Sequence, residues 1–92
     1  MNKVFVSKRS EDILLALYFK GELTKTELRE ATGCGGQTAK DVVKHFMDLG
    51  VVVEKYDSVR GRNVLELTVK GRRVAEYLVK IYRTLGLKHP FT

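Results

Sequence analysis

ATGCGGQTAKDVVKHFMDLG occupies residues 31–50. Gly33, Gly35 and Gly36 fill three of four successive positions, which is poor material for a helix interior. Beyond them Ala39, Val42, Val43, Phe46 and Met47 recur at three- and four-residue steps, the period of a helix buried along one side. Gly50 closes the run. A tight turn therefore stands directly before a helix over residues 36–49. Glycine tolerates left-handed backbone, so Gly33-Cys34-Gly35 can reverse the chain within a few residues. The leading turns of the helix then carry Gln37, Thr38, Lys40, Asp41 and Lys44, side chains able to bond to something outside the protein.

The flanking sequence supplies the partners of that helix. Thr24-x-x-Glu27 is a capping box and predicts a helix over residues 24–32, with Leu28 and Ala31 turned inward. A helix over residues 10–20 is expected from Ser10 as cap, Glu11 and Asp12 in its first turn, and Gly21 as its stop. Ile13, Leu14, Leu17 and Tyr18 are its buried stripe. After Gly50 the period changes to two. Residues 51–57 and 62–67 read as strands joined by a tip at Ser58-Val59-Arg60-Gly61-Arg62. Thr68 then caps a last helix to about residue 86, and Gly71 in its first turn costs that helix a little stability. Residues 3–6 are open between a strand, a helix extension and an arm, and the tail around Pro90 is expected to be mobile. No repeat or linker divides the 92 residues, so one domain over residues 1–92 is expected.

Composition bounds the partners. Seventeen Lys and Arg against eleven Asp and Glu give a net charge of +6 and, by composition, a pI near 9.6. Polyanions such as nucleic acid or anionic lipid are the first partners such a charge suggests. No apolar run is long enough to span a bilayer, and the first residues lack a signal-peptide core, so a cytoplasmic protein without membrane contact is expected. The lone Cys34 has no partner for an internal disulfide and reads as a small buried apolar residue. His45 and His89 stand far apart, so neither a metal nor another cofactor is expected. No nucleophile with a histidine partner, glycine-rich phosphate loop or carboxylate cluster is visible, and no enzyme activity is expected.

Gly33 through Gly50 resembles the recognition half of winged helix-turn-helix transcription regulators of bacteria and archaea. Cys34 takes the apolar turn position of that pattern, Thr38 the Thr/Ser position, Ala39 the Val position and Leu49-Gly50 its end. LTVKGRRVAEYL, residues 67–78, is similar to the LTxKG junction that follows the wing in these regulators. The resemblance covers nearly the whole chain, roughly residues 10–85. It departs at Gly35, where the family has a capping Ser or Thr; Gly caps only slightly less well.

The resemblance implies an α+β winged helix-turn-helix: a three-helix core, a two-stranded β-hairpin wing and a long C-terminal helix. It implies a sequence-specific regulator of transcription, a repressor by expectation, bound to double-stranded DNA. Helix 36–49 would enter the major groove from Gly36 onward. There Gln37 suits adenine, Lys40 and Lys44 guanine or phosphate, Asp41 the cytosine amino group, and Thr38 a phosphate or thymine methyl. The wing residues Arg60, Gly61, Arg62 and Asn63 would meet an adjacent minor groove or the backbone, and Lys8, Arg9, Lys25 and Thr26 the DNA backbone.

Each assignment has a plainer counterpart. Lys40 and Lys44 also fit a solvated helix face, and two tip arginines also fit solubility. Tyr56, Tyr77 and Tyr82 suit core or interface packing before an effector pocket. The last helix carries more apolar surface than a small core can cover. Val74, Tyr77, Leu78, Ile81, Tyr82 and Leu85 are therefore expected to pair two copies into a homodimer reading a pseudo-palindromic site. Two other readings stay open: a winged-helix module that docks proteins without DNA, and a sensor gated by a small-molecule effector between the core and the last helix.

Overall fold

The computed structural model describes residues 9–89 and residue 91. Residues 3–6, Lys8 and Pro90, on which expectations were placed above, lie outside the described residues. The element order is α1 (Ser10–Lys20), α2 (Lys25–Thr32), α3 (Gly36–Asp48), β1 (Val52–Asp57), β2 (Arg62–Leu67) and α4 (Val69–Leu85).

α1 is the centre of the molecule. It packs against α2, α3, α4 and β2, so its buried side is wider than a single stripe. Ile13, Leu14, Leu15 and Ala16 are all fully buried, while Tyr18 is only half-buried. Ser10 is not the cap. The Ile13 amide already donates to the Arg9 carbonyl, at 3.0 Å, so the helix starts one residue earlier and Ser10 is buried inside it. Arg9 itself donates to Asp12 at 3.0 Å.

α2 begins with the capping box. The Thr24 hydroxyl accepts from the Glu27 amide at 3.1 Å, and the Glu27 carboxylate accepts from the Thr24 amide at 2.9 Å. Gly33 ends it in the left-handed region, at φ 69°, which L side chains rarely adopt. Thr32 braces the turn: its hydroxyl donates to the Leu28 carbonyl and accepts from the Cys34 amide. Cys34 is buried with the core. Gly35 precedes α3 with extended backbone and no side-chain cap.

α3 buries Ala39, Val42, Val43 and Phe46 against α1 and the core. Met47 does not join them. It is 40% exposed and lines a groove that the eight-residue α2 leaves open. β1 and β2 form an antiparallel hairpin pairing Val52 with Leu67 through to Asp57 with Arg62. The loop before α2 adds one bridge to it, with Leu23 and Leu65 exchanging two backbone bonds of 3.1 and 2.7 Å. Lys55 on β1 joins Glu22 and Glu66, at 2.8 and 3.2 Å. Those two carboxylates hold the Lys55 ammonium above its ordinary pKa.

The Thr68 hydroxyl accepts from the Gly71 amide and donates to the Gly50 carbonyl, tying the start of α4 to the end of α3. Gly71 is more than a tolerated weakness in that turn. A Cβ there would press into the Val51 carbonyl, 3.0 Å from its carbon, so glycine is what lets α4 lie against the chain entering β1.

Candidate nucleic-acid interface

The polar edge of α3 faces outward. Gly36, Gln37, Lys40, Asp41 and Lys44 are exposed, and Thr38 is half-buried. The order of these residues follows from the helix: burying positions 39, 42, 43 and 46 leaves 37, 41 and 44 on the opposite side. Gln37 and Asp41 are one helical turn apart and are not independent. The Gln37 amide donates to the Asp41 carboxylate at 2.8 Å, so either residue must share or break that bond to meet a base. Lys40 and Lys44 make no ion pair among the described residues.

A groove of about 550 Å³ runs beside this edge. Leu28, Ala39, Val43 and Met47 floor it, and Lys25, Arg29, Lys40 and Lys44 surround it, with Asp48 and Glu54 as its acids. It gathers α2, α3 and β1 on one surface. Arg29 is the residue that sequence reasoning missed. Its signal was only its place one turn after Lys25 on the exposed side of α2. Lys25 lies 3.6 Å from Glu54 and Thr26 is exposed. Arg9 is exposed and paired with Asp12 on its own helix.

The hairpin tip departs from the expected pair of equivalent arginines. Arg62 and Asn63 are exposed, and Arg62 pairs with no carboxylate among the described residues. Arg60 is held by two: Glu27 at 2.6 Å and Asp57 at 3.5 Å. Glu27 stays below the ordinary carboxylate pKa, first through the bond from the Thr24 amide and then through the nearby Arg60 charge.

The apolar face expected on α4 is narrower than its composition implied. Leu78 is 6% exposed and belongs to the protein's own core. Tyr82 is half-buried, and its hydroxyl donates to Glu11 at 2.7 Å. That bond, with burial, pushes the Tyr82 pKa up to about 12. Val74 is half-buried against the core. Tyr77, Ile81 and Leu85 remain exposed, spaced four residues apart along one side. Between α1 and α4, the place of the effector pocket in the sensor reading, a cavity of about 280 Å³ includes Tyr18, Phe19 and Tyr77. Tyr56 stands exposed on β1.

No family profile and no curated protein sequence matches the chain. Solved structures do. MepR, a transcription regulator of a Staphylococcus aureus multidrug efflux pump, superposes with a TM-score of 0.78 at 18% identity, covering 88% of this chain and 61% of MepR. The fold is the winged helix-turn-helix. BpsR of Bordetella bronchiseptica gives 0.77 at 20% identity over 88% of this chain and 59% of its own. The adhesin competence repressor AdcR of Streptococcus pyogenes gives 0.73 at 24% identity, over 90% and 61%. The chain thus spans about three fifths of the length of these structures. In the terms of this fold, α2 and α3 are the helix-turn-helix and the β1–β2 hairpin is the wing. No helix among the described residues is long and apolar enough to cross a membrane.

Proposed function

We propose that this protein binds double-stranded DNA in a sequence-specific manner and regulates transcription, without enzymatic activity. One observation carries the reading: the outward edge of α3, bearing Gln37, Lys40, Asp41 and Lys44, is uncovered and continues into a cationic rim at Lys25 and Arg29. Such an edge fits a major groove. Gln37 suits an adenine edge, Lys40 and Lys44 guanine or phosphate, and Asp41 the cytosine amino group. Thr38, Lys25, Thr26 and Arg29 lie where they suit phosphates, which set register without specifying sequence. One of the solved neighbours is a MepR–DNA complex, of TM-score 0.75 at 18% identity, covering 88% of this chain and 68% of that one. It supports the reading at the level of shared fold.

We further propose a homodimer joined along Tyr77, Ile81 and Leu85 of α4. Exposed apolar side chains at four-residue spacing form a seam that a second copy can cover by two-fold symmetry. Two recognition helices then meet half-sites about one DNA turn apart. Selection from random duplex DNA tests the function. The expected result is a pseudo-palindromic consensus. Absence of enrichment, together with no retarded complex at low salt, contradicts it and favours a protein-docking module.

The cationic groove favours a second reading, in which a small organic anion seated there gates DNA binding by occupying Lys40 and Lys44. DNA binding of BpsR is described as regulated by 6-hydroxynicotinic acid. A rise in melting temperature with such an acid, lost in Lys40→Ala, is the expected result; an unchanged melting temperature contradicts it.

A further inference from the structure

Arg60 at the wing tip and Glu27 in the first turn of α2 are 33 residues apart in sequence, and they form the shortest ion pair of the described residues, 2.6 Å. The same Glu27 oxygen, Oε1, also accepts from the Thr24 amide at 2.9 Å. One carboxylate oxygen therefore caps a helix and anchors a loop. At the other end, Asp57 organises the tip. Its Oδ1 accepts from the amides of Val59 and Arg60, at 2.9 and 3.3 Å, and its Oδ2 lies 3.5 Å from Arg60 Nε. The Asp57 carbonyl accepts from the Gly61 amide at 2.8 Å.

Charge decides what this cluster does. One guanidinium stands between two carboxylates, so the group as a whole is negative. Carried into a DNA groove, it would set two carboxylates against phosphates. Arg62, two residues on, is exposed and pairs with no carboxylate among the described residues. We propose that Glu27 is a positioning residue which, through Arg60, struts the wing against the helix-turn-helix, and that Arg62 is the wing cation that meets DNA. The proposal rests on the DNA-binding reading above for the role of Arg62 alone. The strut itself is a property of the free protein. It fixes the wing relative to the start of α2, and so to the recognition helix packed on it.

The opposite arrangement, in which Glu27 withholds Arg60 from DNA, makes opposite predictions. Glu27→Gln keeps a capping box, since Gln serves at that position, while it removes the charge. The experiment has two arms. In the free protein, amide hydrogen exchange is followed at Val59, Arg60 and Gly61 in Glu27→Gln, Arg60→Gln, the double variant and Arg62→Gln. Exchange is expected to quicken equally in the first three and to stay unchanged in Arg62→Gln. Unchanged exchange in Glu27→Gln overturns the strut whether or not DNA is bound. The second arm measures affinity for a mixed-sequence duplex against salt. Arg62→Gln is expected to reduce the log–log slope by about 0.9, one phosphate contact. Glu27→Gln and Arg60→Gln are expected to weaken binding roughly two- to fivefold at unchanged slope, with the double variant no weaker than either. Tighter binding and a steeper slope in Glu27→Gln, or a slope loss in Arg60→Gln equal to that of Arg62→Gln, overturns the assignment. Wild-type protein with no salt-dependent binding overturns the role of Arg62 and leaves the exchange arm to decide the strut.

Discussion

Replacing Gly71 with alanine sets two effects against each other. Alanine is the better helix former by about 0.8–1.0 kcal/mol in a helix interior, and less in a first turn. If local propensity governed, the variant would melt higher. The packing says otherwise. The new Cβ would lie 3.0 Å from the Val51 carbonyl carbon, with the carbonyl oxygen closer still, and 3.2 Å from Val51 Cγ1. Relieving these contacts, the one to the carbonyl oxygen above all, moves the start of α4 off the β1 entry by about 1 Å or more. That entry is where the Thr68 amide and hydroxyl bond to the Val51 carbonyl, at 3.0 and 3.2 Å. Overpacking costs about 1–3 kcal/mol and a weakened hydrogen bond about 1 kcal/mol more. With up to about 1 kcal/mol returned by propensity, the net loss is about 1–4 kcal/mol. For a domain of this size that lowers Tm by roughly 4–32 °C. Thermal melts followed by circular dichroism measure it. A Tm equal to or above wild type would refute the packing argument.

Three other outcomes are expected. Gln37→Ala removes the bond to Asp41 and, on the proposed reading, one base contact, so selection from random DNA should lose preference at one position of each half-site, a cost of about 1–3 kcal/mol; an unchanged consensus shows that Gln37 reads no base. Ile81→Glu places a charge on the exposed α4 seam and should give a monomer of near wild-type melting temperature by sedimentation, whereas Leu78→Glu charges the core and should unfold the protein; an intact Ile81→Glu dimer removes this seam from the interface. Tyr82 titrates near 12 in the fold against an ordinary value of 10.0, so its contribution is complete below pH 10 and fades as pH rises through 12. Tyr82→Phe should flatten the loss of stability in that window, and an identical alkaline profile contradicts the bond to Glu11.

What was legible in the sequence was local chemistry. The glycine turn before α3, the Thr24–Glu27 box, the Thr68 cap and the change of period after Gly50 each depend on residues a few positions apart, and each is present. What was not legible depends on contacts between distant segments. The apolar band of α4 reads the same whether a residue faces the core or solvent, so Leu78 and Tyr82 could not be told from Ile81 until α1 was placed beside them. Gly71 looked like a weak point because its neighbour is Val51 rather than anything in its own helix. Arg60 looked equivalent to Arg62 because its carboxylate on α2 lies 33 residues upstream. Arg29 gained meaning only when the turn set α2 beside Lys40 and Lys44.

On the proposed reading, the uncovered edge of α3 and the cation at Arg62 meet duplex DNA together. Amide shift mapping by NMR, with mixed-sequence duplex added at low salt, tests this most directly. Perturbations are expected to concentrate at residues 36–44, at Lys25 to Arg29 and at Arg62, with the exposed seam of α4 unaffected. Saturating DNA that leaves residues 36–44 unmoved contradicts it.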